Sequence, residues 1–220
     1  MVNNKEWNFD SWAGTYDKSV QENDWIHENY AKNIDLLVQE ISQIANEKKI
    51  NLLDVGAGTG NLISKLIKNP NIEFLAIEPS QKMREEFQKK CPTIEIIDGN
   101  LPKLPALNME FDVIVSSYVI HHVEHERSQL MVQTLKRLLK SDGKILFLDV
   151  MFENKNSFDF EISNLKQQGL DDRVEEMLDE YFYFVDELNN ILNREGIGVI
   201  TTRLSHYVWL IKAQIQAALT

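Results

Sequence analysis

The sequence holds a single cysteine, Cys91. An intrachain disulfide and a thiolate metal cage are therefore excluded, and the thiol is expected to be an inert, partly buried group. Basic charge is scarce: 23 lysines and arginines stand against 34 aspartates and glutamates, for a formal charge of −11. Such a surface repels phosphate backbones, and no basic patch offsets it. Lys48-Lys49 and Lys89-Lys90 are short pairs at expected helix ends, where lysine complements the helix dipole. Nucleic acid is thus not an expected partner. No apolar run approaches the ~20 residues of a membrane helix, so no membrane association is expected. The first residues, Met1 to Trp7, are polar and carry Glu6, unlike a signal peptide, which predicts a cytoplasmic location. Repeats and low-complexity tracts are missing too.

What remains is an ordinary soluble composition, 43% hydrophobic and 26% charged, over 220 residues, enough for one sizeable α/β domain. Residues 7–20 scatter Trp7, Phe9, Trp12 and Tyr16 among polar residues. Ile26, Tyr30, Ile34, Leu37, Ile41 and Ile44 then recur at steps of three and four, predicting an amphipathic helix over 25–48. Short apolar runs at 51–55, 74–77, 94–97, 111–115 and 144–150 predict five strands. Helical segments at 61–68, 81–90 and 126–140 alternate with them, the last with Leu130, Leu135, Leu138 and Leu139 inward. Ser80 is the expected cap of the second of these helices. Asp142-Gly143 reads as a turn before the fifth strand. Strands separated by helices imply parallel βαβ units and a doubly wound sheet. Residues 151–196 break this rhythm. They carry twelve acids against four bases and an aromatic cluster, Tyr181-Phe182-Tyr183-Phe184, and are expected to be helical, ending in a helix over 185–194. Runs at 197–204 and 207–212, joined at Ser205-His206, predict a closing hairpin.

The chemistry is concentrated in Asp54-Val55-Gly56-Ala57-Gly58-Thr59-Gly60. A strand runs into a glycine-rich turn and then a helix, which places a ligand over the carboxyl ends of the parallel strands. Dinucleotide folds want G-x-G-x-x-G, with a pyrophosphate at the helix N-terminus. Here the spacing is G-x-G-x-G, the third dinucleotide position is Asn61, and Asp54 precedes the loop. An acid beside exposed backbone suits the zwitterionic tail of S-adenosylmethionine (SAM) better than a pyrophosphate. Glu78 follows the second strand and can accept two ribose hydroxyls, a feature that both cofactor classes share.

Asp54 to Gly60, Glu78-Pro79-Ser80, Asp98-Gly99-Asn100, Phe111 to Val115 and Leu139 to Lys144 resemble, in order and spacing, the successive motifs of class I SAM-dependent methyltransferases. Phe9 to Asp17 resembles the N-terminal element of the bacterial small-molecule branch, which includes quinone-biosynthesis C-methyltransferases. The resemblance implies a Rossmann-like, doubly wound, mostly parallel α/β sheet of seven strands, with an antiparallel terminal hairpin and an N-terminal helical lid. It divides the single domain into a lid (1–50), a SAM-binding core (51–150 and 197–213) and a helical acceptor-side insertion (151–196). By the same resemblance Asp54, Gly56, Gly58 and Gly60 hold the methionine part of SAM and Glu78 the ribose, with Ala57 and Pro79 also among the cofactor-binding residues. Asn100, where aspartate is usual, and Leu101 meet the adenine. Ser116 lies beside the sulfonium and Tyr16 covers the cofactor, which leaves as S-adenosylhomocysteine (SAH).

Ser116-Ser117-Tyr118-Val119 is not the Asn/Asp-Pro-Pro-Tyr/Phe sequence of amino-methyltransferases acting on adenine or glutamine, so the expected partner is a small-molecule acceptor. His121 is the candidate general base, since histidine is the usual proton acceptor near neutral pH. No metal is expected: His122, Glu124 and His125 have irregular spacing and no evident fourth ligand. A non-catalytic SAM-binding protein and an NAD-dependent oxidoreductase are the rival readings. The acceptor and the oligomeric state are not encoded in any motif.

Overall fold

The computed structural model describes residues 9–22 and 24–216. Eight strands are present among the described residues: β1 (Ile50–Val55), β2 (Ile72–Ile77), β3 (Glu95–Ile97), β4 (Phe111–Ser117), β5 (Leu139–Phe152), β6 (Tyr183–Phe184), β7 (Ile197–Arg203) and β8 (Val208–Ile215). Seven of them form one path in the order β3-β2-β1-β4-β5-β8-β7, and β6 pairs with the end of β5 off that path. The first five are parallel, while β8 runs antiparallel to both β5 and β7. The expected Rossmann-like sheet and its closing hairpin are therefore present. Strand order reverses between β1 and β4, so the crevice at their carboxyl ends is the switch point where such sheets bind ligands.

The central strands are apolar on both sides because helices cover both faces. Phe111, Val113, Ile114 and Val115 of β4 are all fully buried. One face packs under α2 (Tyr30–Glu47), whose Ile34, Leu37 and Ile41 are at most 1% exposed. Burying each such side chain contributes roughly 1.5–3 kcal/mol. The other face is covered by α5 (Ser128–Arg137) and α8 (Val185–Arg194).

Four sequence expectations are corrected. The first long helix starts at Tyr30 rather than Trp25, because Asn29 sits in the left-handed region (φ 57°) and Asp24 Oδ1 accepts from the His27 amide at 2.7 Å, closing a separate turn. Asp142-Gly143 is a bulge within β5 rather than a turn before it. Phe111 pairs with Leu139 but Val113 already pairs with Lys144, so five residues of β5 oppose two of β4. α5 is shorter than expected and buries Met131, Val132 and Leu135, leaving Leu130 39% exposed and Leu139 in the strand. The segment after β5 forms α6 (Lys155–Gln167), α7 (Asp171–Asp179) and α8, but Tyr183-Phe184 is strand β6, since the open end of β5 offers it ladder partners. Trp7 lies outside the described residues. None of the helices among them is long and apolar enough to cross a membrane.

Candidate functional site

β1 delivers Asp54 to the carboxyl edge of the sheet, and the glycine turn follows at once. The amides of Gly56 and Ala57 both donate to the Ile77 carbonyl, at 2.8 and 3.0 Å, which ties the turn to the end of β2. Gly56 has φ 78°, and a Cβ there would lie 2.3 Å from Val119 Cγ2, so no other residue fits. Gly58, at φ 53°, is different. Its Cβ would meet only Tyr16 Cε1 at 3.9 Å, because its open side faces a cavity rather than packed protein.

Glu78 is fixed by two backbone donors: Gly58 N–H to Oε2 at 3.0 Å and Ser80 N–H to Oε1 at 2.9 Å. Burial raises its pKa, against the opposing pull of those two amides and of Arg84. Asp54 is 1% exposed, and neither of its oxygens has a hydrogen-bond partner among the described residues. Burial, helped by the charge of Glu78, raises its pKa to about 7. A buried carboxylate without donors is costly, and such a site is completed by a ligand that brings a cation or N–H groups.

The N-terminal segment is anchored over this turn by two acids. Asp10 Oδ1 accepts from Ser80 Oγ at 2.5 Å and from the Lys82 amide at 3.2 Å. Asp17 accepts from Thr59 Oγ1 at 2.6 Å and pairs with Lys90 at 2.5 Å. These contacts hold Phe9, Trp12 and Tyr16 above a cavity of ≈ 380 Å³. Of the expected cofactor residues, Tyr16, Gly56, Gly58, Glu78, Pro79, Asn100 and Leu101 line it. Asp54, Ala57, Gly60 and Ser116 do not. Ser116 is fully buried with its hydroxyl unpartnered, whereas Ser117, one residue on, does line the cavity.

Another wall of the cavity is built by the turn after β4, whose Val119 packs against Gly56. Tyr118 takes φ 57°, rare for a bulky residue, and turns the chain so that His121 and His122 both line the cavity. His121 Nδ1 lies 2.5 Å from Asp149 Oδ1. Asp149, with no exposed surface, also accepts from the amides of Val119, Ile120 and Val150 at 2.7 to 2.9 Å. Burial alone would lower the His121 pKa; the Asp149 carboxylate outweighs it and holds the imidazole above its ordinary value. His125 is not part of this group. It stacks on Tyr183 at 5.1 Å, and Glu124 pairs with Arg127 at 2.8 Å. Glu180 arrives instead, 3.2 Å from His122 Nδ1. Sequence reasoning missed Asp149, Asp10, Asp17 and Glu180. Asp149 had a usable signal, an acid near the end of a buried apolar strand, the same pattern that marks Asp54 and Glu78.

A methyltransferase-domain family model matches residues 52–143. An uncharacterized methyltransferase of Bacillus pumilus is 34% identical, covering 94% of this chain and 95% of its own. Another, from Oceanobacillus iheyensis, is 32% identical over 94% and 95%. The chain belongs to the class I SAM-dependent methyltransferases. Among solved structures, the magnesium protoporphyrin IX methyltransferase of Synechocystis PCC 6803, determined with bound SAH, superimposes with a TM-score of 0.73. It is 17% identical, covering 94% of this chain and 96% of that one, and shares the fold. The cavity of this methyltransferase fits its cofactor on the chain's own terms. Glu78 is held ready in its wall, the open face of Gly58 admits close approach, and Asp54, behind the lining, has two oxygens without a partner among the described residues.

Proposed function

We propose that this methyltransferase methylates a small molecule, taken up at the His121 end of the cavity. The observation that carries the reading is the enclosure. The N-terminal segment, the glycine turn, the turn after β4 and Glu180 share one cavity, and no lysine or arginine lines it among the described residues. An acceptor bound there reacts inside the protein, not along an open basic groove. Of the expected lid, the stretch from Phe9 to His27 acts as the cover over the cofactor, and Glu180, from the segment 151–196, bounds the acceptor side.

SAM supplies an activated methyl group, and the chain supplies placement. Asp54 and the backbone at Gly56–Gly60 hold the charged methionine end, Glu78 the ribose hydroxyls, and Asn100 with Leu101 the adenine. Ser117, rather than the buried Ser116, is the serine nearest the transfer. Alignment of donor and acceptor in a closed site can contribute ~7–11 kcal/mol to such a displacement. His121, fixed at Nδ1 by Asp149, has its second ring nitrogen left to act on the acceptor's proton, directly or through a bound cation.

Calorimetric titration with SAM and SAH, beside NADH, tests the cofactor reading, with Gly58→Arg as control. Micromolar binding of SAM or SAH that the control loses supports it and justifies a screen of small acceptors for methyl transfer. A folded protein that binds NADH and neither SAM nor SAH would overturn it.

A further inference from the structure

The turn after β4 ends in two adjacent imidazoles, and the chain returns to them 58 residues beyond His122 with a carboxylate. The rings of His121 and His122 are 4.0 Å apart at their centroids. The Tyr181 amide donates to the His121 carbonyl at 2.9 Å, which fixes the Glu180 segment against the pair. One ligand-capable atom from each of His121, His122 and Glu180 lies within 4.8 Å of the others, and all three residues line the cavity.

We propose that His121, His122 and Glu180 form a binding site for a divalent metal ion of the zinc type, to which the acceptor coordinates. The proposal rests on the reading of this end of the cavity as the acceptor site. Two imidazoles and one carboxylate are an established catalytic zinc set, three protein ligands that leave one position open. All three residues line the cavity, so an ion held by them would be reached from it. Bond lengths of about 2.0–2.2 Å set the edges of a tetrahedral site near about 3.4 Å. The His122–Glu180 edge, at 3.2 Å, already has that length. The other edges, within 4.8 Å, would have to shorten towards that length by rotation of His122 and Glu180, whose side chains are 17% and 12% exposed.

An independent observation comes from behind the ligands. Metal-binding histidines almost always give their other ring nitrogen to a carboxylate, which fixes tautomer and orientation. His121 does this with Asp149 at 2.5 Å, and Asp149 is itself held by three backbone amides. That leaves Nε2 of His121 as the ligand atom.

A cation here makes the acceptor's O–H or S–H group more acidic on coordination. The proton passes to solvent, the bound anionic atom forms the new bond to the methyl carbon, and the sulfur–methyl bond breaks. The acceptor exchanges a proton for a methyl group, and nothing is oxidised or reduced.

The test uses the full chain after chelator treatment, titrated calorimetrically with Zn²⁺ and followed with Co²⁺ by visible absorption. The expected result is one ion per chain and a tetrahedral cobalt spectrum. Both should be lost in His122→Ala and Glu180→Gln, with SAM binding and circular dichroism unchanged. Asp149→Asn should weaken the metal by about 10–100-fold. A folded, SAM-binding protein that takes up no Zn²⁺, or takes it up equally in both variants, overturns the proposal. Loss of SAM binding by the unsubstituted protein would strike the cofactor reading instead, and leaves the metal titration to be scored on its own.

Discussion

Replacing Asp54 by asparagine should make the ligand-free protein more stable and a poorer binder of SAM. The carboxyl is 1% exposed, has no hydrogen-bond partner among the described residues, and ionises at about 7 rather than at the ordinary 3.8. That displacement is equivalent to about 4 kcal/mol of destabilisation once the group is ionised in both folded and unfolded chains. The sign follows from linkage. A carboxylate whose folded pKa is raised imposes no penalty below 3.8, an increasing one between 3.8 and about 7, and the full one above. An asparagine at the same place buries an unsatisfied amide, at a cost of about 1–3 kcal/mol that does not vary with pH. The net gain at pH 8 is then about 1–3 kcal/mol, which for a chain of this length raises the thermal midpoint by roughly 2–12 °C. Near pH 5 the gain should vanish. The assay is a pair of thermal denaturation series from pH 5 to 8 on Asp54→Asn and the unsubstituted protein, so that all other titrations cancel in the difference. A variant that melts at or below the unsubstituted protein at pH 8, with no trend against pH, refutes the reasoning. Calorimetry on the same samples should show weakened SAM binding, because an ammonium at this position prefers the carboxylate.

Glu78→Ala removes the acceptor of the Gly58 and Ser80 amides as well as the acceptor proposed for the ribose, and should weaken SAH binding by about 10–100-fold in calorimetry, the equivalent of one charge-assisted hydrogen bond. Asp149→Asn should leave SAM affinity in place and lower turnover by roughly 10²–10⁴, read from steady-state kinetics once an acceptor is found, because His121 loses the group that orients it. His121→Ala should fall in the same range. Asp112 gives a control away from the cavity. Although burial pushes its pKa up, hydrogen bonds from Lys140, the Asn51 amide and Lys48 bring it to about 2. Its stabilisation is present above 3.8 and is lost as pH falls towards about 2. After discounting for the half-exposed lysines, Asp112→Asn should cost about 1–2 kcal/mol and roughly 2–8 °C at pH 7, and the difference should close in acid.

The sheet and the cofactor end were legible in the sequence because their signals are local. The buried apolar runs, the glycine turn and the acids at the ends of β1 and β2 are each patterns of a few consecutive residues, readable even though Glu78 meets Gly58 across twenty positions. Ser80 as the cap of α4 (Gln81–Lys90) is equally local, its Oγ accepting from the Met83 amide at 3.1 Å. The acceptor end was only half legible. His121 stood out by residue type, but its partner Asp149 lies 28 residues away and Glu180 lies 58 residues beyond His122. Both are brought in by sheet pairing and by the Tyr181 backbone bond, which no periodicity encodes. The errors of boundary have the same origin. Asn29 carries a backbone angle that hydrophobic spacing does not reveal, and the Asp142-Gly143 bulge depends on the register that β4 imposes on β5.

The pairing of β6 with the end of β5 has a consequence for how this enzyme could diversify. Met151 and Phe152 face Tyr183 and Phe184 across a parallel ladder, so the chain leaves the sheet and re-enters it about 4.8 Å away. The helices between these points form an excursion clamped at its base, and lengthening or shortening it leaves the strand register untouched. The last stretch before re-entry is tied to the histidine turn through Glu180, Tyr181 and Phe182, which stacks on His121, and further back Trp25 donates to Glu176 at 3.0 Å. A segment exchange between relatives that includes residues 180–184 would therefore bring its own wall to the cavity at Glu180, provided that it keeps the core packing of Leu165, Val174 and Met177.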